Sequence, residues 1–290
     1  MTNGTARPGH VSGARIWLGR RLVPLAFALR RGIGLLGWRR LDGPPLRAPL
    51  SRRATSSEVV PVVMCVWRRP HRLERTIGSL AGQTHRAIRL CIWNNSSSGR
   101  ATVDSTVTAF RDLEIDVVHS ARNVGGFGRF YLARELAADH GSVVFLDDDQ
   151  VPSSEFVETL VGEFRPGMVR SSWGYRFRGT DRYADRIPAG PGERVKYCGT
   201  GGMICDTRAF AESGLFACPR RFWFVEDLWL SYYADHVLRW PLYKSGAEVI
   251  VEPDRHDQYQ LLLPTKDRLF RHLVRRGWNP VLPESGENAT

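Results

Sequence analysis

Apolar residues follow two regimes along the chain, and the change falls near position 59. Before it, over 16–41, Trp17, Leu18, Leu22, Phe27, Leu35, Leu36 and Trp38 alternate with the pairs Arg20/Arg21, Arg30/Arg31 and Arg39/Arg40. Its longest uncharged run, 22–29, is far shorter than the roughly 20 residues that span a bilayer. Arginine pairs throughout and the lack of a small-residue cleavage site also disfavour a signal peptide. Two readings stay open: a cationic amphipathic segment lying on an anionic membrane surface, or a helix pair packed on the protein's own body. Asp42-Gly-Pro-Pro then opens a linker to Ser57.

After position 59, strand and helix patterns alternate. The run 59–67 is almost continuously apolar, as in a buried parallel strand. A helix is predicted over 70–83, with Pro70 at its start and Leu73, Ile77 and Leu80 on one stripe. Strands follow at 88–93, 115–118, 143–146 and 249–251, and helices at 127–139, 154–164 and 228–234. A basic helix is predicted over 264–278, carrying Lys266, Arg268, Arg271, Arg275 and Arg276 beside Leu269, Phe270, Leu273 and Val274. The alternation predicts an α/β fold: a mostly parallel sheet with helices on both faces and ligands at the carboxyl ends of its strands. The organisation expected is an extension over 1–57, one main domain over 58–262, and a C-terminal helix and tail over 263–290.

Charge looks at first like a nucleic-acid signal, because the 290 residues carry a net +11. Location removes that reading. Residues 1–57 hold eleven arginines and one acid, and the rest hold 30 basic and 29 acidic side chains. The body is almost neutral, so a local polyanion contact fits better than a nucleic-acid surface. Five cysteines without a Cys-x-x-Cys pair disfavour zinc and a disulfide scaffold, and fit a reducing, cytoplasmic compartment.

The strongest chemical signal is Val143-Val-Phe-Leu-Asp-Asp-Asp149. Three carboxylates ending a buried strand repel one another and resist desolvation. A hard divalent cation with oxygen ligands relieves that cost; an exposed acidic turn is the alternative. Strand alternation would point Asp147 and Asp149 one way and Asp148 the other.

Five segments in order resemble family 2 glycosyltransferases of the GT-A fold. They are the first strand and turn through Trp67-Arg-Arg-Pro, Ile92-Trp-Asn-Asn, Asn123-Val-Gly-Gly-Phe-Gly-Arg129, Asp147-Asp-Asp149, and the pair Cys198-Gly-Thr-Gly-Gly-Met with Phe222-Trp-Phe-Val-Glu-Asp227. The agreement extends over about residues 59–260, and the details look most like the galactofuranosyl- and rhamnosyltransferase-like branch. The resemblance implies a GT-A (Rossmann-like) nucleotide-diphospho-sugar transferase fold. It also implies inverting, Mg2+- or Mn2+-dependent transfer from a nucleoside diphosphate sugar, UDP- or dTDP-linked, to a glycan or lipid-linked glycan of the cell envelope.

The resemblance also implies roles. Trp67 would stack on the base. Asn94 stands where the family usually has Asp, and its amide would accept the base N–H more weakly. Arg69 and Arg129 would face the diphosphate, with Asn123, Gly125, Gly201 and Gly202 shaping the donor site. Asp149 and Asp147 would hold the metal with His256, Asp147 also reaching the ribose and Asp148 belonging to the donor site. Asp227 would be the base and Glu226 its orienting neighbour, although acids also favour a helix's first turn. Trp223 would wall the acceptor pocket or fill the core. A sugar nucleotidyltransferase is the rival, disfavoured because Trp-Arg-Arg-Pro lacks the glycines of a phosphate loop. A non-enzymatic nucleotide-sugar or membrane binder is the other. The expected location is peripheral, on the inner face of the plasma membrane.

Overall fold

The computed structural model describes residues 59–252 and 259–283. The basic segment 16–41, its linker and His256 lie outside the described residues. The first half runs β1 (Val60–Val66), a 3-10 turn (Pro70–Arg72), α1 (Leu73–Ala81), β2 (Ile88–Asn94), α2 (Arg100–Thr108), β3 (Glu114–His119), α3 (Phe127–Leu136) and β4 (Ser142–Asp147). The second half is more broken: β5 (Gln150–Pro152), α4 (Phe156–Glu163), β6 (Val169–Ser171), β7 (Gly174–Phe177), β8 (Arg186–Pro188), β9 (Arg194–Val195), β10 (Tyr197–Cys198), β11 (Met203–Asp206), α5 (Arg208–Ala211), α6 (Glu226–Tyr232), β12 (Leu242–Lys244), β13 (Val249–Val251) and α7 (Tyr259–Arg275).

One eight-stranded sheet takes the order β3-β2-β1-β4-β11-β6-β12-β9. β1 to β4 are parallel, with Val62 beside Val144 and Cys65 beside Asp147. β11 then runs antiparallel to both β4 and β6. Pro61 is accommodated because pairing with β4 begins only at Val62. Val62, Met64, Leu90, Ile92, Val144 and Leu146 form the core with the α1 stripe Leu73, Ile77 and Leu80. Each such side chain contributes about 1.5–3 kcal/mol on burial. The crossovers place the carboxyl ends of β1, β2 and β4 at one edge, where the site lies.

Two differences from the sequence reading have physical causes. α7 starts at Tyr259, five residues before Pro264, which lies inside it. As the sixth helical residue it forgoes the bond to the Gln260 carbonyl and crowds that oxygen, a cost of about 3 kcal/mol, and the added turn brings Tyr259 and Leu262 to the cleft. The short strands β7 to β10 escape prediction, because two to four residues are too few to show a period. Among the described residues, no helix is long and apolar enough to cross a membrane.

Candidate active site

A cleft of about 490 Å³ opens where β1 and β4 end. The acidic triplet forms its floor, and the triplet's geometry corrects the sequence reading. β4 ends at Asp147, so Asp148 and Asp149 sit in a turn where strand alternation no longer applies. Asp148 does not face away. It is buried, accepts from the Trp67 backbone N–H at 3.1 Å, and pairs with Arg69 Nη2 at 2.7 Å. The other nitrogen of the Arg69 fork reaches Asp149 at 2.5 Å. Burial, and secondarily the neighbouring aspartates, push the Asp148 carboxyl up to about 7 against the pull of Arg69.

Asp147 is held from the opposite side. Arg129 of α3 donates to its Oδ1 at 2.8 Å, and its Nε lies 3.5 Å from Glu226 Oε1. Arg129 Nε and Nη1 nonetheless have no hydrogen-bond partner. The local sequence explains how this guanidinium arrives. Asn123 Oδ1 accepts from Gly125 N–H at 2.8 Å, and Gly125 sits at φ +63°, turning the chain into α3. A Cβ on Gly126 would lie 1.8 Å from the Glu226 carboxylate, so only glycine leaves Glu226 its place. On the far wall, a Cβ on Gly201 would meet Asp147 Oδ2 at 2.5 Å.

Glu226 and Asp227 open α6, yet their environments differ. Burial, and the charge of Asp227, push Glu226 up to about 7 despite Arg129. Burial also works to raise Asp227, but the Lys266 ammonium overcomes it. Asp227 Oδ2 accepts from Lys266 Nζ and from Tyr197 O–H, both at 2.5 Å. Oδ1 accepts from the Leu228 N–H at 2.7 Å. The carboxyl is thereby held below the usual carboxylate range. Lys266 comes from α7 and also donates to the Tyr183 hydroxyl oxygen at 3.3 Å.

Of the residues singled out in the sequence, the cleft brings together Trp67, Arg69, Asn123, Gly125, Arg129, Asp147, Asp148, Asp149, Gly201, Glu226 and Asp227. Three lie off it. Asn94 is buried at the end of β2: its amide donates to Ser96 O and contacts His119 Nδ1, while its oxygen accepts from Ser96 N–H. Those bonds use both amide hydrogens and one lone pair of the oxygen, and Asn95 rather than Asn94 lines the cleft. Gly202, at φ +77°, serves the turn into β11, its N–H donating to Phe145 O at 2.9 Å. Trp223 stacks on Phe127 (centroids 4.9 Å apart, planes at 16°) and donates to Cys218 O. That fixes it in an aromatic cluster, and Phe224 takes the cleft position. The sequence reading missed Tyr183, Arg186, Tyr197 and Lys266. A legible signal existed for Lys266 alone: it stands three residues before Leu269 and seven before Leu273, on the buried stripe of α7.

An α/β sheet whose carboxyl edge gathers acids, arginines and a glycine-walled cleft has the build of a nucleotide-sugar transferase. The model of the family described as glycosyl transferase family 2 matches residues 62–217. The chain belongs to that family. Among solved structures it resembles the mannosyltransferase PcManGT from Pyrobaculum calidifontis in complex with GDP-Man and Mn2+ (TM-score 0.54, 14% identity, covering 90% of this chain and 77% of that one). It also resembles S. aureus TarS 1-349 with UDP-GlcNAc (0.51, 14%, 78% and 68%) and GalNAc-T7 with UDP, GalNAc and Mn2+ (0.52, 15%, 66% and 43%). Against another TarS 1-349 structure, the chain spans 57% of that chain's length. At these identities the likeness shows the fold. No curated protein matches the sequence at a significant level.

Proposed function

We propose that the protein transfers a sugar, with inversion, from a nucleoside diphosphate sugar to a hydroxyl of a glycan or lipid-linked glycan, assisted by Mg2+ or Mn2+. One observation carries the reading: Asp227 lies in the same cleft as Asp147 and Asp149, yet is kept ionised by its own cation, Lys266. An ionised carboxylate is the group needed to take the proton of an attacking hydroxyl. A single displacement needs no covalent intermediate, which gives inversion.

A divalent cation fits the floor of the cleft. Five carboxylates line it, and Arg69, Arg129 and Lys266 are the cleft cations that pair with them. Asp147 and Asp149 offer hard oxygen donors on the cleft and would hold the ion; His256, expected as a third ligand, lies outside the described residues. Among the described residues no three acidic, His or Cys side chains already converge as a cage. When bound, the ion supplies charge neutralisation to the leaving diphosphate. The chain does the rest. Arg129, buried in the cleft wall, would add positive charge near the diphosphate, and Arg69 would do so from its seat on Asp148 and Asp149. Trp67 lines the cleft beside Phe224 at 6.5 Å, with the Arg68 guanidinium over one face of its ring at 4.3 Å, and would stack on the base with the other. Glu226 orients the sugar or the acceptor. The PcManGT and TarS complexes hold GDP-Man and UDP-GlcNAc; the sequence favours a uridine or thymidine base.

The test is thermal stabilisation by a panel of UDP-, dTDP- and GDP-sugars, with and without Mg2+ or Mn2+. A cation-dependent shift for one donor is expected, and its absence across the panel would refute the reading. Release of pyrophosphate from a nucleoside triphosphate would instead favour the nucleotidyltransferase. The basic segment 16–41 supports a peripheral membrane site: the full chain is expected to sediment with anionic and not neutral liposomes at physiological salt.

A further inference from the structure

Among the described residues four cations line the cleft, and three of them are bound to carboxylates. Arg69 holds Asp148 and Asp149, Arg129 holds Asp147 and Glu226, and Lys266 holds Asp227. The fourth, Arg186 at the start of β8, has no carboxylate partner among the described residues. Its guanidinium lies in a box of tyrosine faces instead, with Cζ 4.8 Å, 4.1 Å and 5.8 Å from the ring centroids of Tyr175, Tyr183 and Tyr197. It donates to Tyr183 O at 3.2 Å and to the Tyr259 hydroxyl. Its Nε is buried and makes no hydrogen bond. Ring faces stabilise a cation but accept none of its directed hydrogen bonds well, so the fork is left with donor capacity.

The position of the box decides what that capacity is for. Tyr197, one of its walls, gives its hydroxyl to Asp227. Arg186 therefore stands one ring away from the group that receives the acceptor's proton. The acidic floor and its two arginines belong to the other end of the same cleft.

We propose that Arg186 recognises an anion on the acceptor: the hydroxyl delivered to Asp227 belongs to a glycan that carries a phosphate or a carboxylate nearby. A planar fork suits either group, and the tyrosines would stack on the sugar ring bearing it. The inference rests on the transferase reading and names its acceptor class. Charge explains the layout. An anionic acceptor entering a cleft with five carboxylates is repelled unless one cation is kept out of their reach, and the tyrosine box keeps Arg186 apart.

The experiment is calorimetric titration of the full protein, its donor end first filled by the nucleoside diphosphate and cation that stabilise it. The probes are glucose 6-phosphate, glucuronate and glucose. At least one anionic sugar is expected to bind about tenfold or more tightly than glucose, a difference typical of one charge-assisted contact. The phosphate and carboxylate arms then tell the two sources apart. In Arg186→Gln the preference disappears while nucleotide affinity is unchanged. Arg186→Lys, which keeps the charge within the tyrosines, retains part of it and guards against a folding defect. Equal binding of the three sugars, or a preference that survives Arg186→Gln, overturns the proposal and leaves the transferase intact. Weaker nucleotide binding in Arg186→Gln overturns it too, by moving Arg186 to the donor end. If no nucleoside diphosphate binds the unaltered protein, both readings fall together.

Discussion

The two ends of the cleft manage charge differently. At the floor, Arg69 and Arg129 each bridge two carboxylates, and burial, with the neighbouring aspartates adding to it, pushes the Asp148 carboxyl up to about 7 despite Arg69. At the far end, Asp227 has a lysine to itself plus a tyrosine hydroxyl and a backbone N–H. The first arrangement leaves carboxylates sharing cations, which on the proposed reading suits a further, divalent cation. The second is complete and holds one carboxylate ionised. The difference teaches how one strand-edge cleft can hold carboxylates of opposite character, as the proposed split between metal and base chemistry requires. The same residue type is set to two tasks by how many cations it shares.

If that division is right, Asp227→Asn gives the largest effect. It removes the proton acceptor, and transfer should fall by about 10²–10⁴-fold. Metal-dependent stabilisation by the donor should persist, because the floor is untouched. A variant within about tenfold of the unaltered rate would break the division and move the base to Glu226.

Asp149→Ala should do the converse. It takes a donor oxygen from the floor and releases one arm of Arg69. Metal-dependent donor affinity should fall by about 10–100-fold, the range for weakened metal sites. The cation-dependent melting shift is then lost at ordinary donor concentrations. An unchanged shift would put the metal elsewhere.

Lys266→Met probes how Asp227 is kept ionised. With Lys266 gone, burial is unopposed by its main counter-charge, and the carboxyl must rise. In the unaltered protein Asp227 titrates below the ordinary carboxylate value of about 3.9, so activity should not lose this group above that pH. In Lys266→Met the acid limb of kcat/KM should move up towards neutrality. Stability should fall by about 3–5 kcal/mol, because one partner of a buried pair remains. Adding Asp227→Asn should restore much of that stability without restoring activity. A pH profile unchanged by Lys266→Met would reduce the lysine to a packing contact.

The two ends were also unequally legible. The floor could be read because β1, β4 and the turns after them are each contiguous in sequence. A buried apolar run ending in Asp147 to Asp149 is also costly unless cations meet its charge. Arg129, Glu226 and, at the far end, Asp227 were found because the short segments that carry them resemble motifs of the family. The far end comes from separated pieces: Tyr183 in a loop, Arg186 on β8, Tyr197 on a two-residue strand, and Lys266 on a helix 39 residues beyond Asp227. No local period links them, and only the fold does. Asn94 and Trp223 misled for a related reason. Their positions match a motif, but each spends its polar group on a neighbour two or five residues away. Motif position alone does not show where a side chain's hydrogen bonds go.

The smallest expected effect lies on the boundary between the two ends. Cys65, beside Asp147 in register across β1 and β4, lines the cleft next to Arg129. Proximity to a guanidinium ordinarily makes a thiol more reactive. Here burial dominates: it pushes the Cys65 thiol up to about 12 despite the opposing pull of Arg129, with Glu226 adding to the rise. The half-buried thiol should stay protonated at pH 8 and resist iodoacetamide over hours in the native protein, as should the four fully buried cysteines among the described residues. Mass spectrometry of the intact protein is expected to show no adduct until denaturant is added. Rapid labelling of Cys65 alone would mean that Arg129 holds uncompensated positive charge. The contrast between a floor that shares its cations and a complete far end would then be reversed.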